Sequence, residues 1–346
     1  MKRIGRTAAL VVSAVLAAGA AGCADRAPQR YETTFAGMFD TVTTVTAYAE
    51  SREAFDALAD SIRAELSEYH ELYDIYHEYE GMINLCTVNR IGHEQPVKVD
   101  RRIVELLRFA KEQYAATGGK VNVALGGALS LWSEYRERSL ADPEEAALPP
   151  MGELQRRASD ADPDAVVIDE AASTVFLGKP GLSLDVGAVA KGYAAERVAQ
   201  RLEREGRSGV LLNLGGNVRA VGGKPDGSAW MVGVQNPRDS ETLSMKVPMT
   251  GGALVTSGDY QRYYEVDGTR YCHIVDPDTL MPAAYVASVT VLCADSGRAD
   301  ALSTALFTLP LEKGRELVAS LPGVEAAWID AAGKLVTTSG WPESSR

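Results

Sequence analysis

The sequence of 346 residues is poor in the side chains that build metal and redox centres. It has four histidines and four cysteines, and no Cys-x-x-Cys pair occurs. Zinc-ribbon and thioredoxin-like chemistry therefore have no support. No His-Glu-x-x-His run is present, which removes the zincin pattern. There is no GxxxxGK[ST] for a P-loop and no GxGxxG after a strand for a dinucleotide fold. There is no GxSxG nucleophile elbow either. Cations are scarce: 35 Lys and Arg stand against 47 Asp and Glu, a formal charge of −12. A nucleic-acid binder needs a basic stripe, so nucleic acid is not an expected partner. What remains is ordinary globular composition, 46% apolar and 24% charged, on a chain long enough to bury a sizeable core.

The first residues read as an address. Lys2, Arg3 and Arg6 precede a small-apolar stretch over 7–19, followed by Ala20-Ala21-Gly22-Cys23. That is the pattern of a secretory signal peptide over 1–22. Its apolar part is shorter than the about 20 residues of a spanning helix. Cysteine after Ala-Ala-Gly resembles a bacterial lipobox, which makes Cys23 a lipidated mature N-terminus. The expected location is the cell membrane, lipid-anchored on the extracytoplasmic face. Plain secretion with an incidental cysteine is the other reading. Residues 23–34 read as the lipidated cysteine and a polar tether, and 35–340 as a single domain, with two subdomains around the ligand site left open. Cys86, Cys272 and Cys293 read as buried small side chains, with a disulfide from Cys86 left open.

Along the body, Thr and Val over 41–49 predict a strand. Apolar residues from Phe55 to Tyr76 at spacings of three and four predict a long amphipathic helix over 52–80. His70 and His77 then fall on its surface. A second helix runs from Asp100 to a glycine cap at Thr117-Gly118-Gly119. Residues 138–163, rich in Asp, Glu and Pro, read as a surface excursion. Hairpins are expected over 165–177 and over 260–275, the second around Asp267-Gly268, which suits a type I′ turn. Helices are expected over 187–205, 296–309 and 312–320, and strands over 209–214, 288–293, 324–329 and 334–338. Hairpins mixed with helices give an α+β class with largely antiparallel sheets.

Three polar stretches stand in small or apolar surroundings. Asp185 precedes a helix start that carries Lys191, where free N–H groups and a point charge suit a phosphate. The alternative is a tight strand-to-helix turn capped by Asp185. His273, on a hairpin strand three residues before Asp276, suits proton transfer near neutral pH. A satisfied structural histidine is the alternative. Asp300 and Thr304 lie four apart on a helix, so a carboxylate and a hydroxyl share one face and can take a hard cation. The alternative there is a Thr-to-backbone bond beside a solvated Asp.

Taken in order, LDVGAVAKGYAAERV (184–198), LLNLGGNVRAVGGK (211–224), SGDYQRYYEVDGTRYCHIVDP (257–277) and ADALSTALFTL (299–309) resemble the ApbE family of flavin transferases. MFDTVTTV (38–45) and GGKVNVALGGALSLW (118–132) extend the resemblance over about 35–335. It implies an ApbE-like, T-fold-related architecture. It also implies transfer of FMN from FAD to a Thr or Ser hydroxyl of an acceptor protein, with AMP leaving and Mg²⁺ required. By the same resemblance, Asp300, Thr304 and the carbonyl of Ala188 hold the metal. Met38, Tyr76, Lys120, Val121, Asn122, Asp185, Lys191 and Ile274 line the FAD site. His273 is the candidate general base, and Lys191 is counted with it as catalytic. Ser303 stands where some members carry another acidic residue, and Asn122 where Asp is frequent.

The implied partners are FAD, an acceptor with an FMN-binding domain, and a membrane through the lipid anchor. Two other functions compete. An FAD pyrophosphatase would use water as acceptor and release FMN and AMP. A surface lipoprotein would bind FAD without turnover.

Overall fold

The computed structural model describes residues 27–343. Cys23 and the signal segment lie outside the described residues. In chain order the first half holds β1 (Gln29–Met38), β2 (Thr41–Ala49), α1 (Arg52–Tyr73), α2 (Leu85–Ile91), β3 (Val97–Lys98), α3 (Arg101–Ala116), α4 (Gly126–Ala141), α5 (Met151–Ala158), β4 (Val166–Asp169) and β5 (Thr174–Leu177). Then come α6 (Ala190–Arg204), β6 (Val210–Leu214), β7 (Asn217–Val221), β8 (Trp230–Asn236), β9 (Asp239–Met249), β10 (Gly252–Gly258), β11 (Tyr263–Val266), β12 (Thr269–Cys272), β13 (Val275–Asp276) and β14 (Met281–Pro282). The chain closes with β15 (Ser288–Cys293), α7 (Ser296–Phe307), α8 (Leu311–Ala319), β16 (Glu325–Ile329) and β17 (Leu335–Thr337).

Eight strands form one antiparallel sheet in the order β1-β2-β6-β7-β10-β15-β16-β17. Successive side chains point to opposite faces, so each strand serves two cores. On β10, Ala253 and Val255 join the helix-side core with Phe307 and Trp328, while Leu254 turns to the other face. There it meets the β8–β9 hairpin through Trp230, Val232 and Val247. On β6, Val210, Leu212 and Leu214 pack under α1 and α6. The sheet is therefore buried on both faces, by helices on one and a hairpin on the other. Trp328 is 1% exposed, and truncating it to Ala would cost about 3–5 kcal/mol.

The helix layer is tied to the sheet by a buried ion pair. Arg219 on β7 donates to Glu196 on α6 at 2.8 and 3.1 Å, and Glu196 also accepts the Ser296 N–H that opens α7. α6 and α7 approach closely at Gly192. A Cβ there would lie 2.3 Å from the Ser296 carbonyl oxygen and 2.4 Å from the Asp300 Cβ.

Several expectations are corrected. The tether read over 23–34 gives way to strand at Gln29, because β1 pairs with β2 from Gln29↔Ala49 onward. The helix over 52–80 stops at Tyr73, where Asp74 turns to an extended conformation and bonds the following loop. The excursion over 138–163 contains the end of α4 and all of α5, which buries Leu154. The 187–205 helix begins at Ala190, with Val189 at its cap. Asp185 is therefore not the cap; its carboxylate accepts the Gly187 N–H at 2.8 Å. The Asp267-Gly268 turn has φ of 50° and 73°, the two positive values of a type I′ turn. Cys86, Cys272 and Cys293 are free thiols.

Candidate functional site

A cleft of about 550 Å³ opens at the end of the sheet where the β1–β2 and β6–β7 turns meet. That volume is in the range of small-molecule sites. It has an inner wall of helix starts and an outer wall of loops and a hairpin.

The inner wall is built by close backbone approach. Asn89 receives the Leu184 N–H at 2.7 Å and returns its amide to the Leu184 carbonyl at 2.9 Å, so a side chain satisfies the backbone of the segment before the turn. The Asp185 N–H reaches the Val123 carbonyl at 2.8 Å, and Gly126 donates to Ser183 at 2.9 Å. A Cβ on Gly126 would lie 2.5 Å from that Ser183 oxygen, so glycine is required there. The chain then turns through Gly187 and Ala188 into α6, which has no side-chain cap. Its start delivers Ala188, Ala190 and Lys191 to the cleft.

Asp300 sits behind this wall. Its residue is 4% exposed and does not line the cleft surface. One carboxylate oxygen accepts the Gly192 N–H at 2.8 Å, and the other has the Lys191 ammonium 3.7 Å away. Burial pushes its pKa up, against the opposing pull of Lys191. Thr304, one turn on, reaches the cleft surface. Ser303 points elsewhere, hydrogen-bonded to Ser257 at 2.8 Å. Asp185 is a second raised carboxyl, again through burial, facing the cleft.

The outer wall carries His273. Its backbone N–H donates to the Arg262 carbonyl at 3.0 Å, and Nδ1 lies 3.2 Å from the same oxygen. A carbonyl only accepts, so Nδ1 is the protonated nitrogen and Nε2 keeps its lone pair. The ring is reached by solvent from the cleft but hemmed in by its walls. That confinement, then the charges of Arg262, Arg136 and Lys191, pushes its pKa down to about 4. Arg262 also donates to the Asp40 carbonyl at 2.7 Å, joining this wall to the β1–β2 turn. Phe39 and Asp40 in that turn have φ of 51° and 49°, an unfavourable conformation for non-glycine residues.

The remaining predicted residues divide. Val121, Asn122, Tyr76 and Ile274 line the cleft with Ala188, Lys191, Asp185, Thr304 and His273. Lys120 lines it too, but its ammonium is bound to Asp276 and Asp278, at 2.7 Å each. It braces β13 and offers the cleft little free charge. His273 lies in the bend between β12 and β13, not on the hairpin strand expected for it, because β12 ends at Cys272. Asn122 is likewise engaged, with Ala161 and Ala124. Met38 is 7% exposed in the main core and is absent from the cleft wall, where Gly37 and Phe39 appear instead. The pairing is bulged between Ala36 and Met38, and the Met38 side chain packs in the main core behind this wall.

Sequence reasoning missed His70, Asp74, His77 and Tyr79, all in the cleft wall. It placed the two histidines on a helix surface, but α1 ends between them. The signal was the aromatic run Tyr73-Asp74-Ile75-Tyr76-His77-Glu78-Tyr79, too dense in tyrosine for an ordinary exposed helix end. Arg136 was missed as well; Leu125, Leu129, Trp132, Ser133 and Arg136 present one face of α4 to the cleft.

A helix-backed antiparallel sheet whose cleft gathers a buried carboxylate, a lysine and a neutral imidazole has the make-up of an enzyme. The chain belongs to the ApbE family, whose model matches residues 39–328. It is 31% identical over 287 residues to a FAD:protein FMN transferase of Klebsiella pneumoniae, covering 82% of this chain and 85% of that one. It is 35% identical over 260 residues to a FAD:protein FMN transferase of Treponema pallidum, covering 71% and 70%. Among solved structures it resembles the ApbE protein of Thermotoga maritima with a TM-score of 0.79 at 27% identity, over 90% of this chain and 97% of that one. The apo flavinyl transferase ApbE of Pseudomonas stutzeri gives 0.73 at 26% identity, over 90% and 95%.

Proposed function

We propose that this chain is an FAD:protein FMN transferase that moves FMN from FAD to a Thr or Ser hydroxyl of an acceptor flavoprotein. The observation that carries the reading is one cleft with Lys191 and Thr304 on one wall, the buried Asp300 behind that wall, and the free Nε2 of His273 on the other.

In this reading the acceptor hydroxyl enters from the open mouth and gives its proton to His273 Nε2. Its oxygen forms a bond to the FMN-side phosphorus, and the bridging P–O bond breaks with AMP as leaving group. His273 is held neutral and correctly tautomerised for that task. Lys191 and the uncapped start of α6 would orient the diphosphate and offset its charge. Tyr76, Val121, Asn122 and Ile274 would bound the flavin and nucleotide halves.

The donor set suits a magnesium ion. Asp300 is a buried carboxylate with the Lys191 ammonium 3.7 Å from one oxygen, and Thr304 and Ala188, which line the cleft, would add a neutral hydroxyl and a neutral carbonyl. This set has one carboxylate and would leave positions for water and phosphate, as Mg²⁺ prefers. When bound there, the ion would polarise phosphate oxygens.

The lipoprotein reading of Cys23 belongs to the same proposal, with a single domain facing an acceptor outside the cytoplasmic membrane. Among the described residues no helix is long and apolar enough to cross a membrane. The test is in-gel flavin fluorescence of an FMN-binding acceptor domain after incubation with the chain, FAD and Mg²⁺. The expected result is a covalent flavin band, lost when the target Thr becomes Ala. FMN and AMP in solution without a band would favour the pyrophosphatase. Intact FAD would favour a binding protein.

A further inference from the structure

Asp74 is the most heavily bonded side chain in the outer wall. It is 4% exposed, at the point where α1 ends. Its Oδ1 accepts the N–H of Tyr76 at 2.6 Å and of His77 at 3.1 Å. Its Oδ2 takes the Tyr79 hydroxyl at 2.9 Å and stands 3.0 Å from His77 Nδ1. Burial alone would raise the Asp74 pKa, but the bonds from Tyr76, Tyr79 and His77 outweigh it and hold the carboxyl below its ordinary value. One carboxylate thus fixes both the path of the backbone after α1 and two of its side chains.

The product of that bonding is the placement of Tyr76. Its ring lines the cleft, yet the residue is 61% exposed and the side chain has no hydrogen bond of its own among the described residues. Its ring is 6.4 Å from the His77 ring, centroid to centroid, and His77 is itself held by Asp74. Asn84 continues the same device, donating to the His77 carbonyl at 2.7 Å and the Glu71 carbonyl at 3.0 Å. The loop is therefore fixed from behind and open in front.

We propose that Asp74 is a positioning residue for FAD binding: it orders the 75–79 loop so that Tyr76 is held as a preformed aromatic wall for the substrate. This rests on the transferase reading above. Both Asp74 oxygens are spent on the loop, so its loss is expected to act on affinity and to spare the chemical step. A disordered loop must be ordered at the moment of binding, and affinity falls by that amount.

The test measures three quantities on the full chain: FAD affinity by quenching of flavin fluorescence, kcat for transfer at saturating FAD, and amide hydrogen exchange at Tyr76 and His77. Asp74→Ala is expected to weaken FAD binding roughly tenfold, to leave kcat within about twofold, and to speed exchange at both amides. Asp74→Asn keeps an oxygen for the two N–H groups and is expected to restore most of the affinity, within about threefold of the unaltered chain. Should Asp74→Ala fail to fold, the double change His77→Ala with Tyr79→Phe removes both Oδ2 partners, one exposed and one half-buried, and should weaken binding about threefold.

Unchanged affinity in a folded Asp74→Ala, or in the double variant if that must stand in, overturns the proposal, as does a fall in kcat with affinity intact. No FAD binding by the unaltered chain would overturn the transferase reading and this proposal together, a result distinct from the first two.

Discussion

The two walls of the cleft are made in different ways. The inner wall is a junction of helices α6 and α7 in which backbone meets backbone, with Gly192 at the contact and Glu196–Arg219 locking the layer to the sheet. The outer wall is a loop and a hairpin end, held at single points: the Asp74 side chain for the loop, the Arg262 carbonyl for His273, and the Lys120 ammonium for Asp276 in β13. The inner wall places buried charge, which needs a dry and rigid setting. The outer wall places groups that a large acceptor must reach, and these need exposure.

The comparison is broken most severely at Asp300. Asp300→Ala should abolish Mg²⁺-dependent transfer, a loss of a thousandfold or about 4 kcal/mol in the barrier, measured by acceptor labelling across a magnesium titration. Undiminished labelling at low Mg²⁺ would remove Asp300 from the metal set. On the opposite wall, His273→Ala should slow transfer about a hundredfold while FAD affinity by fluorescence titration stays near that of the unaltered chain. A large loss of affinity with normal turnover would give His273 a binding role instead.

Gly192→Ala breaks the inner wall at its closest backbone contact and also presses on the Asp300 Cβ. The new methyl meets backbone oxygen, which cannot move aside, so denaturant unfolding should show a loss of about 3 kcal/mol. Lys120→Ala should cost somewhat less, about 2 kcal/mol by the same measurement, because Asp276 is left buried while Asp278 returns to solvent. The smallest effect is a pH dependence, because His273 is reached by solvent, which screens most of its shift. With a folded pKa of about 4 for His273, the unfolded chain binds more protons between about pH 4 and 6.5. Stability should fall as pH drops through that window, and the share due to His273 should vanish in His273→Ala, as read from unfolding midpoints at several pH values.

The same contrast explains what could be read in advance. The inner wall was legible because its demands are on residue type: the small residues of 187–195 and the four-residue spacing of Asp300 and Thr304 state a close helix contact and a shared face. The large sheet was legible in part. Strands 288–293 and 41–49 fall where composition put them, since each alternates or runs apolar between turn signals. The β8–β9 hairpin and α4 escaped notice. The hairpin is interrupted by register shifts near Gln235, and α4 has no distinct apolar stripe because one of its faces lines the cleft. The outer wall was least legible. Tyr73 ends α1 only because Asp74 captures the next N–H groups, and helical spacing alone carried the prediction seven residues too far, from 73 to 80. A periodicity reports where apolar residues recur; it does not report a carboxylate that competes for the backbone.

The central claim is that both walls serve one transfer. Its most direct measurement weighs the acceptor domain by intact mass spectrometry while AMP release is counted in the same reaction of chain, FAD and Mg²⁺. The account predicts one FMN-sized mass gain per AMP, on the acceptor's Thr or Ser. AMP and free FMN in equal amounts, with the acceptor mass unchanged for acceptors that other flavin transferases do label, would contradict it.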